Sequence, residues 1–156
     1  ELACIGWASA LMLHTYNFVE DFIKSHQSSP PFAIPQLRFV PTALVITQDD
    51  DRKAFLLEQM IPDSFGKYIS NASPRPLKQK AKSNREIAEF LVFVQHHQYE
   101  STKAVYISDF QGGTSLLTDP QIITDPYFNL FNDGNVGFTE FPSLHDCNKF
   151  CSFFML

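Results

Sequence analysis

Disulfide bonds cannot be what holds this chain together. It has 3 cysteines, and Cys147 and Cys151 crowd its C-terminal end, which is no framework for a small secreted domain. A reducing, cytoplasmic or nuclear setting is expected. Positive charge is also scarce. The 12 Lys and Arg set against 17 Asp and Glu leave a formal charge of −5, whereas a nucleic-acid-binding face needs a basic stripe. The one basic cluster, Lys78, Lys80, Lys82 and Arg85, reads as a solvated loop. No apolar stretch reads as long enough to cross a bilayer, no signal segment opens the chain, and no internal repeat is visible.

With 156 residues, 44% of them hydrophobic and 19% charged, the chain fits one globular domain, 1–156. Residues 1–25 read as a helix, because Leu2, Ile5, Ala8 and Leu11, then Val19, Phe22 and Ile23, recur at near-helical spacing. Pro30-Pro31 stops it. Segments 37–47 and 54–61 read as strands of a hairpin, turned by Gln48-Asp49-Asp50-Asp51-Arg52. The three aspartates there read as a solvated turn, and Pro41 suggests an edge or a bulge. Residues 71–82 read as an exposed loop. The capping-box pattern Ser83-Asn84-Arg85-Glu86 then opens a second helix, with Ile87, Phe90, Leu91 and Val94 as its buried stripe. Ala104-Val105-Tyr106-Ile107 reads as a buried strand, 112–137 as irregular and 138–151 as a last helix. The class is α+β.

The buried strand runs into Asp109-Phe110-Gln111-Gly112, followed by Leu117-Thr118-Asp119-Pro120-Gln121. Two carboxylates and a carboxamide offer hard oxygen ligands for a divalent cation beside a polyphosphate; the plain alternative is a turn at Asp119-Pro120. Near the end stands His145-x-Cys147-x-x-x-Cys151. Zinc takes four such ligands. Two cysteines four apart share a helix face, His145 joins them if the backbone bends before Cys147, and His96 or His97 can supply the fourth. His97 falls on the stripe of Phe90 and Val94, while His96 points away from it. The cysteines read equally well as small core residues beside Phe150, Phe153 and Phe154. Asn132-Asp133-Gly134-Asn135-Val136-Gly137, with Glu140, imitates part of a calcium loop, but Phe131 sits where an oxygen ligand belongs. A plain turn, or a glycine-containing loop that lets substrate approach, is the alternative. Lys67 and Asn71 face either a phosphate or solvent.

In series these motifs resemble the α-kinase family of atypical protein kinases. The resemblance rests on Leu57-Glu58, Phe65-x-Lys67-Tyr68-x-x-Asn71, His96 with Tyr99-Glu100, Asp109-x-Gln111-Gly112, Leu117-Thr118-Asp119-Pro120-Gln121-Ile122, Gly134-Asn135-x-Gly137, and Phe141 through His145-x-Cys147-Asn148-x-x-Cys151. Its details are most similar to the fungal branch. It implies a protein-kinase-like α+β fold, represented by the C-terminal part of the catalytic domain, with the N-terminal nucleotide-binding lobe and its phosphate-anchoring lysine largely absent. The implied function is ATP-dependent transfer of the γ-phosphate to serine or threonine on a protein; the alternative is an inert, zinc-stabilised interaction module. The implied roles are Glu58 at the adenine-binding hinge, Lys67 and Asn71 near the phosphates, and Asp109 as the catalytic aspartate. Gln111 and Asp119 correspond to the Mg2+ site, Gln111 and Lys67 also to ATP binding, and Gly134, Asn135 and Gly137 to the peptide-receiving loop. His96, His145, Cys147 and Cys151 correspond to the ligands of a structural Zn2+. The family loop commonly carries glycine where Asn132 stands; asparagine tolerates left-handed geometry. The usual protein-kinase His-Arg-Asp and Asp-Phe-Gly motifs are missing, and Asp109-Phe110-Gln111 only imitates the second.

Overall fold

Aromatic rings set the spacing between the elements of this molecule. Of its 16 phenylalanines, Phe90, Phe93, Phe110, Phe141, Phe150 and Phe154 are fully buried. A computed structural model describes residues 1–128, 130 and 136–156, Val136 by its backbone alone. Helix α1 (Leu2–His26) turns Ile5, Ala8, Leu11, Met12, Thr15, Val19 and Phe22 inward. It lies against α2 (Lys82–Thr102) and the sheets. By length and composition α1 is apolar enough to cross a bilayer, which corrects the expectation that no stretch would be. In this fold its apolar face is the wall of the core.

The heart of the sheet structure is a bent two-stranded ribbon. Strand β5 (Val105–Ser108) pairs antiparallel with β8 (Gln121–Thr124), and β6 (Gln111–Gly112) pairs antiparallel with β7 (Leu116–Thr118). The register runs Val105 to Thr124, Ser108 to Gln121, then Gln111 to Thr118 and Gly112 to Leu117. It is one continuous register, interrupted only at 109–110 and 119–120. Beyond the bend, β7 pairs in parallel with β1 (Arg38–Phe39), and β6 pairs with β4 (Gly66–Lys67), giving the order β1-β7-β6-β4. The β5 side facing α2 would leave a strand edge unpaired in the core. Two glutamines of α2 cover it: Gln98 Oε1 accepts from the Ile107 N–H (2.9 Å) and Gln95 Nε2 donates to the Ile107 carbonyl (2.9 Å).

Several sequence expectations shift. The segment 37–47 is two strands, because Pro41 ends β1 and the chain leaves that sheet before β2 (Thr42–Ile46) begins. The hairpin itself forms, with β2 antiparallel to β3 (Ala54–Glu58). The stretch after Gly112 is not irregular but holds β7 and β8, too short to show a period in the sequence. The capping box does not form: α2 starts at Lys82, Ala81 caps it without a side-chain bond, and Glu86 faces Lys82 at 3.9 Å. The last helix is two, α3 (Val136–Leu144) and α4 (Lys149–Phe153). Asn148 opens α4 by accepting from the Phe150 N–H at 2.9 Å, and its amide also donates to the Glu89 carbonyl at 2.8 Å.

Phe150 on α4 meets the rings of Phe32, Phe90 and Phe93, with centroids 4.6, 5.5 and 6.2 Å away. It locks α4 onto α2. Phe150→Ala is expected to lower the unfolding free energy by about 3–5 kcal/mol, read as a fall in the urea midpoint with an unchanged slope.

Candidate functional site

The bend in the ribbon arises from three residues. Pro120 has no N–H to give to a ladder. Asp109 and Asp119 both take left-handed backbone, with φ of 57° and 47°, a region that aspartate enters more readily than most residues. Phe110, between Asp109 and Gln111, is fully buried and stacks towards Phe39. Burying that one ring turns its two neighbours to the opposite side of the chain. Gln111 Nε2 then reaches across the bend to Asp119 Oδ2 at 2.9 Å. Gln111 and Asp119 thus meet directly, while Asp109 stands on the same bend.

Gly112 completes this turn. At φ 148° a Cβ would lie 2.2 Å from the Leu116 carbonyl oxygen, so only glycine lets β6 approach β7 so closely.

Lys67 ends β4, and its Nζ lies 2.5 Å from Asp109 Oδ1. The carboxylate side chain is only 10% exposed and the lysine 39%. The pairing follows from the backbone: Tyr68 and Ile69 N–H groups donate to the Phe110 carbonyl at 2.8 and 3.3 Å. Ser108 Oγ donates to the Ser70 carbonyl at 3.3 Å. Asn71 follows in an exposed turn beside this junction. Glu58, at the end of β3, accepts from Thr118 Oγ1 at 2.7 Å, which ties the end of that hairpin to the residue just before Asp119. Of the substrate-loop residues, Gly134 and Asn135 lie outside the described residues, as does most of the calcium-like pattern. Gly137 lies in the first turn of α3, where its carbonyl accepts from the Tyr106 hydroxyl at 3.0 Å.

Sequence reasoning missed three supports of this site. Tyr68 is buried and donates its hydroxyl to the Gly113 carbonyl at 2.8 Å. Asp63 accepts from the Thr114 N–H at 2.7 Å and from its hydroxyl, and these bonds hold its carboxyl below the usual range. Thr118, inside a sequence motif, donates its hydroxyl to Glu58. Each acts across a long sequence separation, where spacing carries no signal.

A second cluster stands at the C-terminal end. His96, His145, Cys147 and Cys151 offer donor atoms that all lie within 4.8 Å of one another. Cys147 Sγ is 3.8 Å from His96 Nδ1, and Cys151 Sγ is 3.9 Å from His145 Nε2. With Zn–S of about 2.3 Å and Zn–N of about 2.0–2.1 Å, a tetrahedral N–S edge is about 3.6 Å; these two pairs are near it, and the wider separations in the set must close further around a zinc ion. The chain bends between α3 and α4 so that His145 and Cys147 precede the helix bearing Cys151. His97 goes elsewhere, buried with Nδ1 3.2 Å from Thr15 Oγ1 and stacked on Phe18. Burial pushes the Cys151 thiol up to about 11 and, with His96 as a lesser cause, the His145 imidazole down to about 4. A dication is the partner that would favour the thiolate in such a place.

The sequence model of the Alpha-kinase family matches residues 9–151. The chain belongs to the Alpha-kinase family. Over 60 residues it is 42% identical to myosin heavy chain kinase A of Dictyostelium discoideum, a stretch covering 36% of this chain and 5% of that protein. Its fold matches a catalytic-domain mutant of myosin heavy chain kinase A with a TM-score of 0.65 at 24% identity, covering 100% of this chain and 57% of that one. The ADP complex of the same α-kinase domain gives 0.62 at 23% identity, over 100% and 60% of the two chains. This α-kinase chain thus spans less than two thirds of the length of those kinase domains. Its α+β architecture is theirs.

The Lys67–Asp109 pair predicts a stability effect. Lys67→Met leaves a nearly buried carboxylate without its cation, and is expected to cost about 1–3 kcal/mol. Asp109→Asn in the same chain should recover part of that loss in a urea-denaturation double-mutant cycle. Additive single effects would contradict the pairing.

Proposed function

We propose that this chain is the C-terminal part of the catalytic unit of an ATP-dependent protein serine/threonine kinase. The observation that carries the reading is the ribbon bend, which gathers Asp109, Gln111 and Asp119, with Lys67 against Asp109, in a chain of the Alpha-kinase family. Asp109 Oδ2 receives the proton of a serine or threonine hydroxyl while the hydroxyl oxygen attacks the γ-phosphorus and ADP departs. Lys67 holds Oδ1, which orients the carboxylate, and its ammonium with Asn71 faces the phosphates. Glu58 marks the hinge where backbone groups meet adenine, and Gly134, Asn135 and Gly137 receive the peptide. Gln111 and Asp119 would hold magnesium, which neutralises charge between the donor phosphates. For that, the Gln111 carboxamide must turn its oxygen where its nitrogen now meets Asp119. His96, His145, Cys147 and Cys151 would hold a structural zinc that braces the break between α3 and α4. The α-kinase domain solved with ADP supports a nucleotide as the ligand. The net charge of −5 supports a protein rather than a nucleic acid as the partner, and the cytoplasm suits cysteines kept reduced.

A second reading, an inert zinc-braced interaction module, draws on one observation. The β2–β3 hairpin leaves Leu44, Val45, Ile46, Phe55 and Leu57 exposed. Nucleotide binding separates the two readings.

In an extended polypeptide with the full length of the related kinase domains, Asp109→Ala should lower kcat on a protein substrate with magnesium-ATP by about 10²–10⁴. Undiminished phosphorylation would remove the role given to Asp109. Metal analysis of the purified chain should find one zinc per molecule, and a chelator should lower its melting temperature, since structural zinc contributes about 10–16 kcal/mol. A zinc-free chain, or melting indifferent to chelation, would refute the metal site.

A further inference from the structure

The Lys67 segment and the His/Cys cluster are joined by a strap. Residues 67–79 fold back on themselves: the Leu77 N–H donates to the Tyr68 carbonyl at 2.7 Å, Ile69 and Pro76 form an antiparallel bridge, and Gln79 Nε2 donates to the Lys67 carbonyl at 2.8 Å. One limb of the strap carries Lys67, 2.5 Å from Asp109. Its other limb begins next to Arg75. The Arg75 Nε–H lies between two acceptors, the Leu144 carbonyl at 3.1 Å and Asp146 Oδ2 at 3.0 Å. Those two residues flank His145 in the chain.

We propose that Arg75 is a positioning residue that couples the His96–His145–Cys147–Cys151 cluster to the Lys67 limb, so that closing the cluster around a metal also sets Lys67 against Asp109. The inference rests on the zinc and Lys67 assignments proposed above. His145 sits where α3 has ended and α4 has not begun, so its neighbours lack the full set of helical bonds. One guanidinium nitrogen on both neighbours limits how far the histidine can drift from the other ligands. A bound metal, by fixing His145, in turn fixes Arg75 and the limb it anchors. Such coupling is reciprocal: whatever tightness Arg75 gives the metal, the metal gives the strap. Its size is modest, because the Arg75 and Asp146 side chains are 55% and 72% exposed and exposed ion pairs are weak.

The test uses the zinc-loaded chain and two readouts that need no phosphoryl transfer: amide hydrogen exchange over residues 66–79, and competition for zinc by a chelator. Arg75→Ala should speed exchange across 66–79 and lower zinc affinity by about 2–5-fold. Asp146→Asn cuts the same link from the other side and should move both readouts alike, and the double variant should do no more than either single one. Faster exchange with unchanged zinc affinity would reduce Arg75 to a local surface contact and overturn the proposal. So would unchanged exchange, or a double variant that sums the single effects. A wild-type chain that takes up no zinc overturns it together with the metal reading. Loss of the kinase reading alone would leave both readouts in place.

Discussion

A two-stranded ribbon that keeps its register across a break is the constraint on which the rest of this structure depends. The pairing before the break, Ser108 with Gln121, and the pairing after it, Gln111 with Thr118, belong to one ladder. Sliding either strand by one residue would turn Phe110 out of the core and reverse the faces of Ile107 and Ile122, which are fully buried. The break therefore cannot migrate. Because it cannot, Asp109 and Asp119 keep their left-handed turns, one on each strand of the break, and Gln111 stays within reach of Asp119. The polar geometry of the site is fixed by apolar burial a few ångströms away.

The same logic places the surrounding elements. Tyr68 and Ile69 read the Phe110 carbonyl and so bring Lys67 to Asp109. Gln95 and Gln98 of α2 satisfy the outer edge of β5, which orders α2 against the ribbon. Between those two glutamines, the same helix presents His96 to the C-terminal cluster. A single helix thus carries both the support of the ribbon and one member of the His/Cys cluster. The result is a chain reversal that carries acids, a carboxamide and a lysine on a support of buried aromatics.

Much of this was legible in the sequence, and the reasons for success and failure differ by residue. Helix α1 could be read because its inward face recurs at helical spacing from Ile5 to Phe22. His96 and His97 could be told apart because adjacent residues on a helix point about 100° apart, and the structure sends one to the cluster and the other to Thr15 and Phe18. The hairpin was marked by its polar turn. What stayed hidden was what depends on tertiary pairing. Strands β6 and β7, of two and three residues, have no period to detect. Ser83 offered a local capping pattern, yet the helix begins at Lys82, while Arg85 on its first turn reaches the carbonyl of Lys80. The order of the short motifs carried the family where their individual chemistry did not.

The bend at Asp109, Gln111 and Asp119 is proposed as the place where a divalent cation and ATP phosphates meet. Paramagnetic broadening by manganese in the presence of ATP, read on the backbone amides of a 15N-labelled chain, tests it most directly. Broadening centred on residues 109–121 is expected, with Asp119→Asn removing it. Broadening centred instead on the exposed turn of Asp49, Asp50 and Asp51, or unaffected by Asp119→Asn, would contradict it.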